Sequence, residues 1–167
     1  MRFFSSNSTH KIDAKGRVSI PANFRKVLER EGGAEVVLIP RMKNEPAIEG
    51  LGATRFEELA AAVDRMNPLD PAAIALSNKL LGQSRTIQLE DTGRIVLSAE
   101  LRETAGLKEQ ALFVGLGRSF QIWNPETYAS RQPRMDAFAM QNFHRLPWGG
   151  APAQPAQAGD PFAPEEA

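Results

Sequence analysis

A chain of 167 residues, 42% of them hydrophobic, has material for one domain or two small half-domains around a soluble core. Its 20 basic and 20 acidic residues cancel, so the whole is no polycation; the absence of cysteine excludes disulfides and thiolate metal sites and fits a reducing cytoplasm. No run approaches the roughly 18 apolar residues of a membrane span, and Met1 to Ser5 lacks the apolar stretch expected of a signal peptide.

In chain order, Thr9 to Ile12 reads as a short strand. Asp13 through Gly16 is turn chemistry: Asp favours the first position of a type I turn and Gly the left-handed position that closes it. Arg17 to Ile20 is the returning strand, with Val18 and Ile20 on one face and Arg17 and Ser19 on the other. Pro21 is placed to start a helix, in which Phe24, Val27 and Leu28 recur at helical spacing until Gly32-Gly33 stops it. Glu35 to Pro40 is a nearly continuous apolar strand, Arg41 to Pro46 polar turn material, and Ala47 to Glu49 a weaker strand. Thr54 and Glu57 have capping-box spacing ahead of a stripe formed by Phe56, Leu59, Ala60, Val63 and Met66. Asp70-Pro71 caps a further helix running to Gly82.

Thr86 to Leu89 and Arg94 to Leu97 are strands around a second turn. Ser98 is an N-cap for a short helix ending at Gly106. Ala111 to Leu116 and Phe120 to Trp123 are strands joined through Gly117, and Asn124-Pro125 opens a final helix. From Pro147 the composition shifts to Gly, Ala, Pro and Gln, which predicts a disordered tail over 147–167.

One segment occurs twice. Asp13-Ala14-Lys15-Gly16-Arg17-Val18-Ser19-Ile20-Pro21-Ala22 returns as Glu90-Asp91-Thr92-Gly93-Arg94-Ile95-Val96-Leu97-Ser98-Ala99, at a constant offset of 93 − 16 = 77. Each copy sets an acidic residue four positions before an arginine, across a glycine, and continues into a second apolar–arginine pair, Phe24-Arg25 and Leu101-Arg102. One copy, a strand pair, a short helix and another strand pair, buries little surface; two copies can pack with pseudo-two-fold symmetry into one barrel-like core.

With Asp13-Ala14-Lys15-Gly16-Arg17, Ser19-Ile20-Pro21, Gly93-Arg94, Leu80-Leu81-Gly82, Leu112-Phe113-Val114-Gly115 and Phe120-Gln121-Ile122-Trp123 in view, the sequence over roughly residues 1 to 145 resembles the MraZ family, bacterial transcriptional regulators built from two SpoVT/AbrB-type half-domains. The resemblance implies an α+β, mainly β fold: a swapped-hairpin, double-psi-like β-barrel with added helices. It divides the chain into half-domains at 7–51 and 84–127, a helical linker at 52–83 and a C-terminal helical segment at 128–146. It further implies a ring-shaped homo-oligomer, cytoplasmic and nucleoid-associated, that binds short tandem DNA repeats upstream of the division and cell-wall gene cluster. The family's DNA-contacting arginine matches Arg17, and its second-repeat counterpart Arg94. Two departures stand out: Glu90 replaces the family's aspartate, and the linker helix Pro71 to Gly82 carries only Lys79 where relatives tend to have arginines.

The chemistry suits those assignments. An arginine beyond a glycine turn can offer its guanidinium to guanine O6 and N7. Lys15 on the turn itself suits a phosphate contact, and Lys11 joins Arg17, Lys15 and Arg94 as a candidate DNA-binding residue. Asp13, Gly16, Glu90 and Gly93 are turn-structural. Set against this, Asp13 and Arg17 read alone are a surface ion pair, and Arg94 has two readings, DNA contact or subunit contact. Lys11, Arg25 and Lys26 either extend the basic surface or are ordinary solvated residues, and Trp123 and Trp148 read as packing or subunit interface rather than ligand sites. No cofactor, metal, small-molecule substrate or membrane partner is expected. An enzyme is disfavoured, because His10 and His144 lack metal-ligand spacing and no nucleotide loop or nucleophile elbow is present. An interaction scaffold or antitoxin-like regulator is the remaining alternative.

Overall fold

The computed structural model describes residues 2–147; the expected disordered tail, apart from Pro147, and Trp148 lie outside them. The chain divides into two units, residues 1–125 and 126–167.

The first unit contains β1 (Asn7–Lys11), β2 (Arg17–Ser19), α1 (Ala22–Arg30), β3 (Glu35–Pro40), β4 (Ala47–Leu51), α2 (Ala53–Asp64), α3 (Pro71–Leu76) with a π-helical continuation Ser77–Gly82, β5 (Arg85–Gln88), β6 (Arg94–Val96), α4 (Ala99–Thr104), β7 (Gln110–Gly115) and β8 (Phe120–Trp123). The strands make a six-stranded antiparallel sheet in the order β1-β7-β8-β4-β3-β5 and a separate two-stranded ribbon, β2-β6. The fold is therefore α+β and mainly β.

The pairing corrects the local reading of the repeats. The strands flanking each turn do not form a hairpin. β1 pairs with β7 of the other repeat, Lys11 opposite Gln110, and β5 pairs with β3, Gln88 opposite Glu35. β2 and β6 pair with each other, Val18 opposite Ile95. Each repeat thus lends its first strand to the other. The order of the large sheet is the same from either end once β1 is matched with β5, β7 with β3 and β8 with β4. The pseudo-two-fold relation runs between Val18 and Ile95 in the ribbon and between Glu49 and Gln121 in the sheet. The ladder ends at β1 and β5, and no closed barrel is found among the described residues.

Alternation along the strands divides the apolar residues between two faces. One face packs with the ribbon, α1 and α4 into a core containing Val18, Ile95, Phe24, Leu28, Leu101, Ile48 and Ile122. Phe4, Phe24 and Phe120 meet there with ring centroids 5.0–5.3 Å apart. On the opposite face, Val37, Ile39 and Leu51 are covered by Phe56 and Leu59 of α2 and by Leu80. The segment expected to be a weak strand at Ala47 is instead the buried centre of the sheet: all five residues of β4 are inaccessible.

That central position buries a carboxylate. Glu49, 2% exposed, accepts from Ser119 Oγ at 2.6 Å and Gln121 Nε2 at 3.0 Å, and Lys43 Nζ lies 3.5 Å away. Gln121 Oε1 in turn accepts from the Trp123 indole at 2.8 Å. These partners offset the desolvation that an isolated buried carboxylate would suffer.

Helix ends follow the sequence in part. The Asp70 carboxylate accepts from Ala72 N at 2.9 Å with Pro71 at the first helical position, and Ser98 Oγ accepts from Leu101 N at 3.2 Å. Pro21 is one residue earlier than expected, at the N-cap of α1. The capping box at Thr54 and Glu57 does not form. The N-cap of α2 is Gly52, while Thr54 donates through both N and Oγ1 to Glu31 O at 3.0 Å. Glycine is needed at 52 because a Cβ there would stand 2.6 Å from Glu31 Cβ. The helix expected from Pro71 to Gly82 is α-helical only to Leu76 and widens into the π-turn beyond it. The second unit contains all of α5 (Pro125–Asn142) after its first residue, with Pro133 inside it, followed by a 3₁₀ turn Phe143–Arg145.

Gly50 lies opposite Phe120, and a Cβ on Gly50 would enter the Phe120 ring. That ring is fixed by its aromatic neighbours. Gly50→Ala is expected to cost roughly 1–3 kcal/mol by overpacking, read as a lowered midpoint in thermal unfolding, whereas Gly117→Ala, with open space at its Cβ position, tests the separate cost of its positive φ of 88°.

Candidate nucleic-acid interface

The two repeated turns are built on one plan. In the first, Gly16 N donates to Asp13 O and Asp13 N to Arg17 O, both at 3.0 Å; in the second, Gly93 N donates to Glu90 O and Glu90 N to Arg94 O, both at 2.8 Å. Gly16 and Gly93 have φ of 83° and 78°, the left-handed conformation that glycine adopts without steric cost. Gly16 O accepts from Leu97 N, and Gly93 O from Ile20 N, so each turn is also tied to the strand end of the other repeat.

The turns differ in how the acid is used. Asp13 Oδ1 accepts from the backbone N–H of Lys15 and of Arg17, both at 2.9 Å, and Oδ2 accepts from Arg17 Nε at 2.8 Å. The Arg17 side-chain hydrogen bond, aided by the two backbone N–H groups, holds the Asp13 carboxyl down to about 2, and the same contact raises Arg17. Glu90, one methylene longer, reaches Arg94 Nε at 3.3 Å, a nitrogen that also donates to Thr92 Oγ1 at 3.2 Å. In both turns the carboxylate engages the guanidinium at Nε.

The ribbon brings the two arginines together. Its register sets Arg17 opposite Val96 and Ser19 opposite Arg94. Cross-strand partners share a face and alternate residues change it. Arg17, Ser19, Arg94 and Val96 therefore stand on one face, while Val18 and Ile95, 1% and 0% exposed, fill the other. Val96 is 45% exposed. A two-stranded antiparallel ribbon fits a DNA major groove.

Lys15 is exposed at the tip of the first turn. Lys11 is also exposed but ends β1, in the large sheet rather than the ribbon. Arg25 is no free surface cation: its NH1 donates to Thr92 O at 3.3 Å. Trp123 is buried, as its packing role required. Ser19 and Val96 join the face of Arg17 and Arg94 only through the cross-strand register. Alternation had set Ser19 beside Arg17, but nothing local in the sequence pairs β2 with β6. A catalytic acid at Asp13 would need a pocket and a raised pKa; the carboxyl is exposed and lowered. Among the described residues no group of three His, Asp or Glu side chains is disposed to hold a metal ion.

The family described as "MraZ protein, putative antitoxin-like" matches residues 3–77 and 80–144, one turn in each segment. The chain belongs to the MraZ family. Similar proteins include the transcriptional regulator MraZ of Parvibaculum lavamentivorans, 39% identical over 147 residues, which cover 88% of this chain and 87% of that protein. The transcriptional regulator MraZ of Pelagibacter ubique is 36% identical over 145 residues, 87% of this chain and 93% of that protein. That of Rhodospirillum rubrum is 39% identical over 142 residues, 82% and 91%. The name these MraZ relatives carry is that of a regulator, which is not an enzyme class, and the two-part MraZ match coincides with the internal repeat.

Because the folded Asp13 carboxyl titrates below its ordinary 3.8, its bonds stabilise the turn fully above about pH 4 and are lost as pH falls through about 2. The Lys15 and Arg17 amide and Arg17 Nε–H resonances are expected to titrate with a midpoint near 2 and to show no such step in Asp13→Asn. A midpoint near 3.8 would mean that the carboxylate does not hold the turn in solution.

Proposed function

We propose that this chain is a DNA-binding transcriptional regulator whose β2–β6 ribbon reads base edges in the major groove. The observation that carries this reading is the single outward face formed by Arg17, Ser19, Arg94 and Val96, with both guanidiniums steadied at Nε. Holding Nε leaves the NH1/NH2 end of each guanidinium for guanine O6 and N7, at low entropic cost because the side chain is already ordered. Lys15 and Lys11 supply phosphate contacts, which position the protein without reading sequence. The names of the relatives support transcriptional regulation. The shared face favours DNA over a subunit contact as the role of Arg94.

One short ribbon per chain, on a protein of zero net charge, offers few contacts. We infer that a ring-shaped homo-oligomer presents several ribbons to tandem short repeats upstream of the division and cell-wall gene cluster, so that effective concentration supplies the affinity. Such a regulator works at the nucleoid in the cytoplasm and needs no cofactor. The exchange of β1 and β5 between repeats supports the swapped-hairpin reading of the core.

The test is binding to the chain's own upstream promoter fragment at two salt concentrations, with oligomer size followed in parallel. Wild-type binding is expected to weaken with salt. Arg17→Ala is expected to lose about 1–3 kcal/mol for each base contact removed, while the oligomer persists. A well-folded oligomer that binds no promoter DNA would return Arg17 to a surface ion pair and favour an antitoxin-like scaffold. Undiminished binding of an obligate monomer to one isolated element would remove the avidity argument.

A further inference from the structure

Arg25 and Arg102 occupy equivalent places in the two repeats, each after a buried apolar residue on the helix that follows the ribbon strand. The interface described above uses neither. Both are half-buried, and each lies against the glycine turn of the other repeat. Arg102 Nε donates at 3.2 Å to the carbonyl of Leu97 in its own repeat, the residue whose N–H in turn donates to Gly16 O. A Cβ on Gly16 would stand 2.5 Å from that same carbonyl oxygen and 3.3 Å from Arg102 Nε. Arg25 NH1 donates to Thr92 O at 3.3 Å, and the Arg25 guanidinium occupies the space that a Cβ on Gly93 would need. The two glycines therefore have a second reason to lack a side chain besides their positive φ: the Leu97 carbonyl, with the Arg102 guanidinium beside it, closes the space at Gly16, and the Arg25 guanidinium fills it at Gly93.

We propose that Arg25 and Arg102 are positioning residues of the ribbon, acting crosswise: Arg102 of the second repeat holds the turn that presents Arg17, and Arg25 of the first holds the turn that presents Arg94. The proposal rests on the DNA-reading role of the ribbon argued above. A planar guanidinium can lie flat on a glycine turn and donate to a neighbouring carbonyl at once, whereas a lysine ammonium has the charge without the plane. The two braces are not equal. The first turn is also held from within by the Asp13 carboxylate on two backbone N–H groups. Among the described residues Glu90 makes no such bond to its own turn. The second turn depends more on Arg25 than the first does on Arg102.

The experiment uses the full chain with Arg25→Ala, Arg25→Lys, Arg102→Ala and Arg102→Lys, each checked for wild-type oligomer size. Without DNA, amide exchange in the turn 90–94 is expected to rise about tenfold in both Arg25 variants, with a smaller rise in 13–17 for the Arg102 variants. With DNA, the ratio of affinities for the promoter fragment and for a scrambled duplex is expected to fall about tenfold, lysine failing to rescue it, while the salt slope stays at the wild-type value. A salt slope reduced by about one, with binding restored by Arg25→Lys, would make Arg25 a phosphate contact and overturn the proposal. Unchanged turn exchange would overturn it as well. If the wild type itself binds no promoter DNA, the proposed function falls, and the exchange data by themselves still support or refute the crosswise brace.

Discussion

The inward burial of Val18 opposite Ile95 is the constraint on which the exposed chemistry depends. Each side chain contributes on the order of 1.5–3 kcal/mol by leaving water, and both sit in the shared core. A slip of one residue would turn them to solvent and carry Arg17 and Arg94 inward, where two guanidiniums would lack partners. The register is therefore fixed by the core side of the ribbon, and the outward quartet of Arg17, Ser19, Arg94 and Val96 follows from it.

The same two-fold logic explains the polar centre of the large sheet. Glu49 and Gln121 are structural counterparts that face one another across β4 and β8. Identical repeats with glutamate at both places would set two buried carboxylates together, forcing one to take up a proton. Here the counterparts have diverged into an acid and an amide, so Gln121 donates to Glu49 and still accepts from Trp123. The sheet is symmetric in its strands and asymmetric in its hydrogen bonding, and the asymmetry makes the burial tolerable.

A comparable divergence separates the two turns. Aspartate is short enough to bond the backbone of its own turn and the arginine together; glutamate at the equivalent place extends past the backbone to the arginine. The first turn is held from within by the Asp13 carboxylate. The second relies on contacts from the other repeat, Ile20 N on Gly93 O and Arg25 on Thr92 O. Two turns of one plan thus present two arginines with unequal support.

What the chain determines by itself is what neighbouring residues determine. The duplication, the glycine turns at Gly16 and Gly93, the caps at Asp70 and Ser98, and the alternation of Val18 with Arg17 and Ser19 are all local, and all were legible, as was the family resemblance that the two-part match bears out. Pairing is not local. The turns look like hairpins, yet β1 and β5 exchange partners, and nothing within either turn encodes that pairing. Likewise the weak-looking segment Ala47 to Glu49 became part of the centre of the sheet, Thr54 gave up a capping box for the Glu31 carbonyl, and Arg25 came to rest on a turn 67 residues away in sequence. The sequence named the two arginines; only the tertiary structure put them on one face, since that depends on a cross-strand register that neither turn encodes.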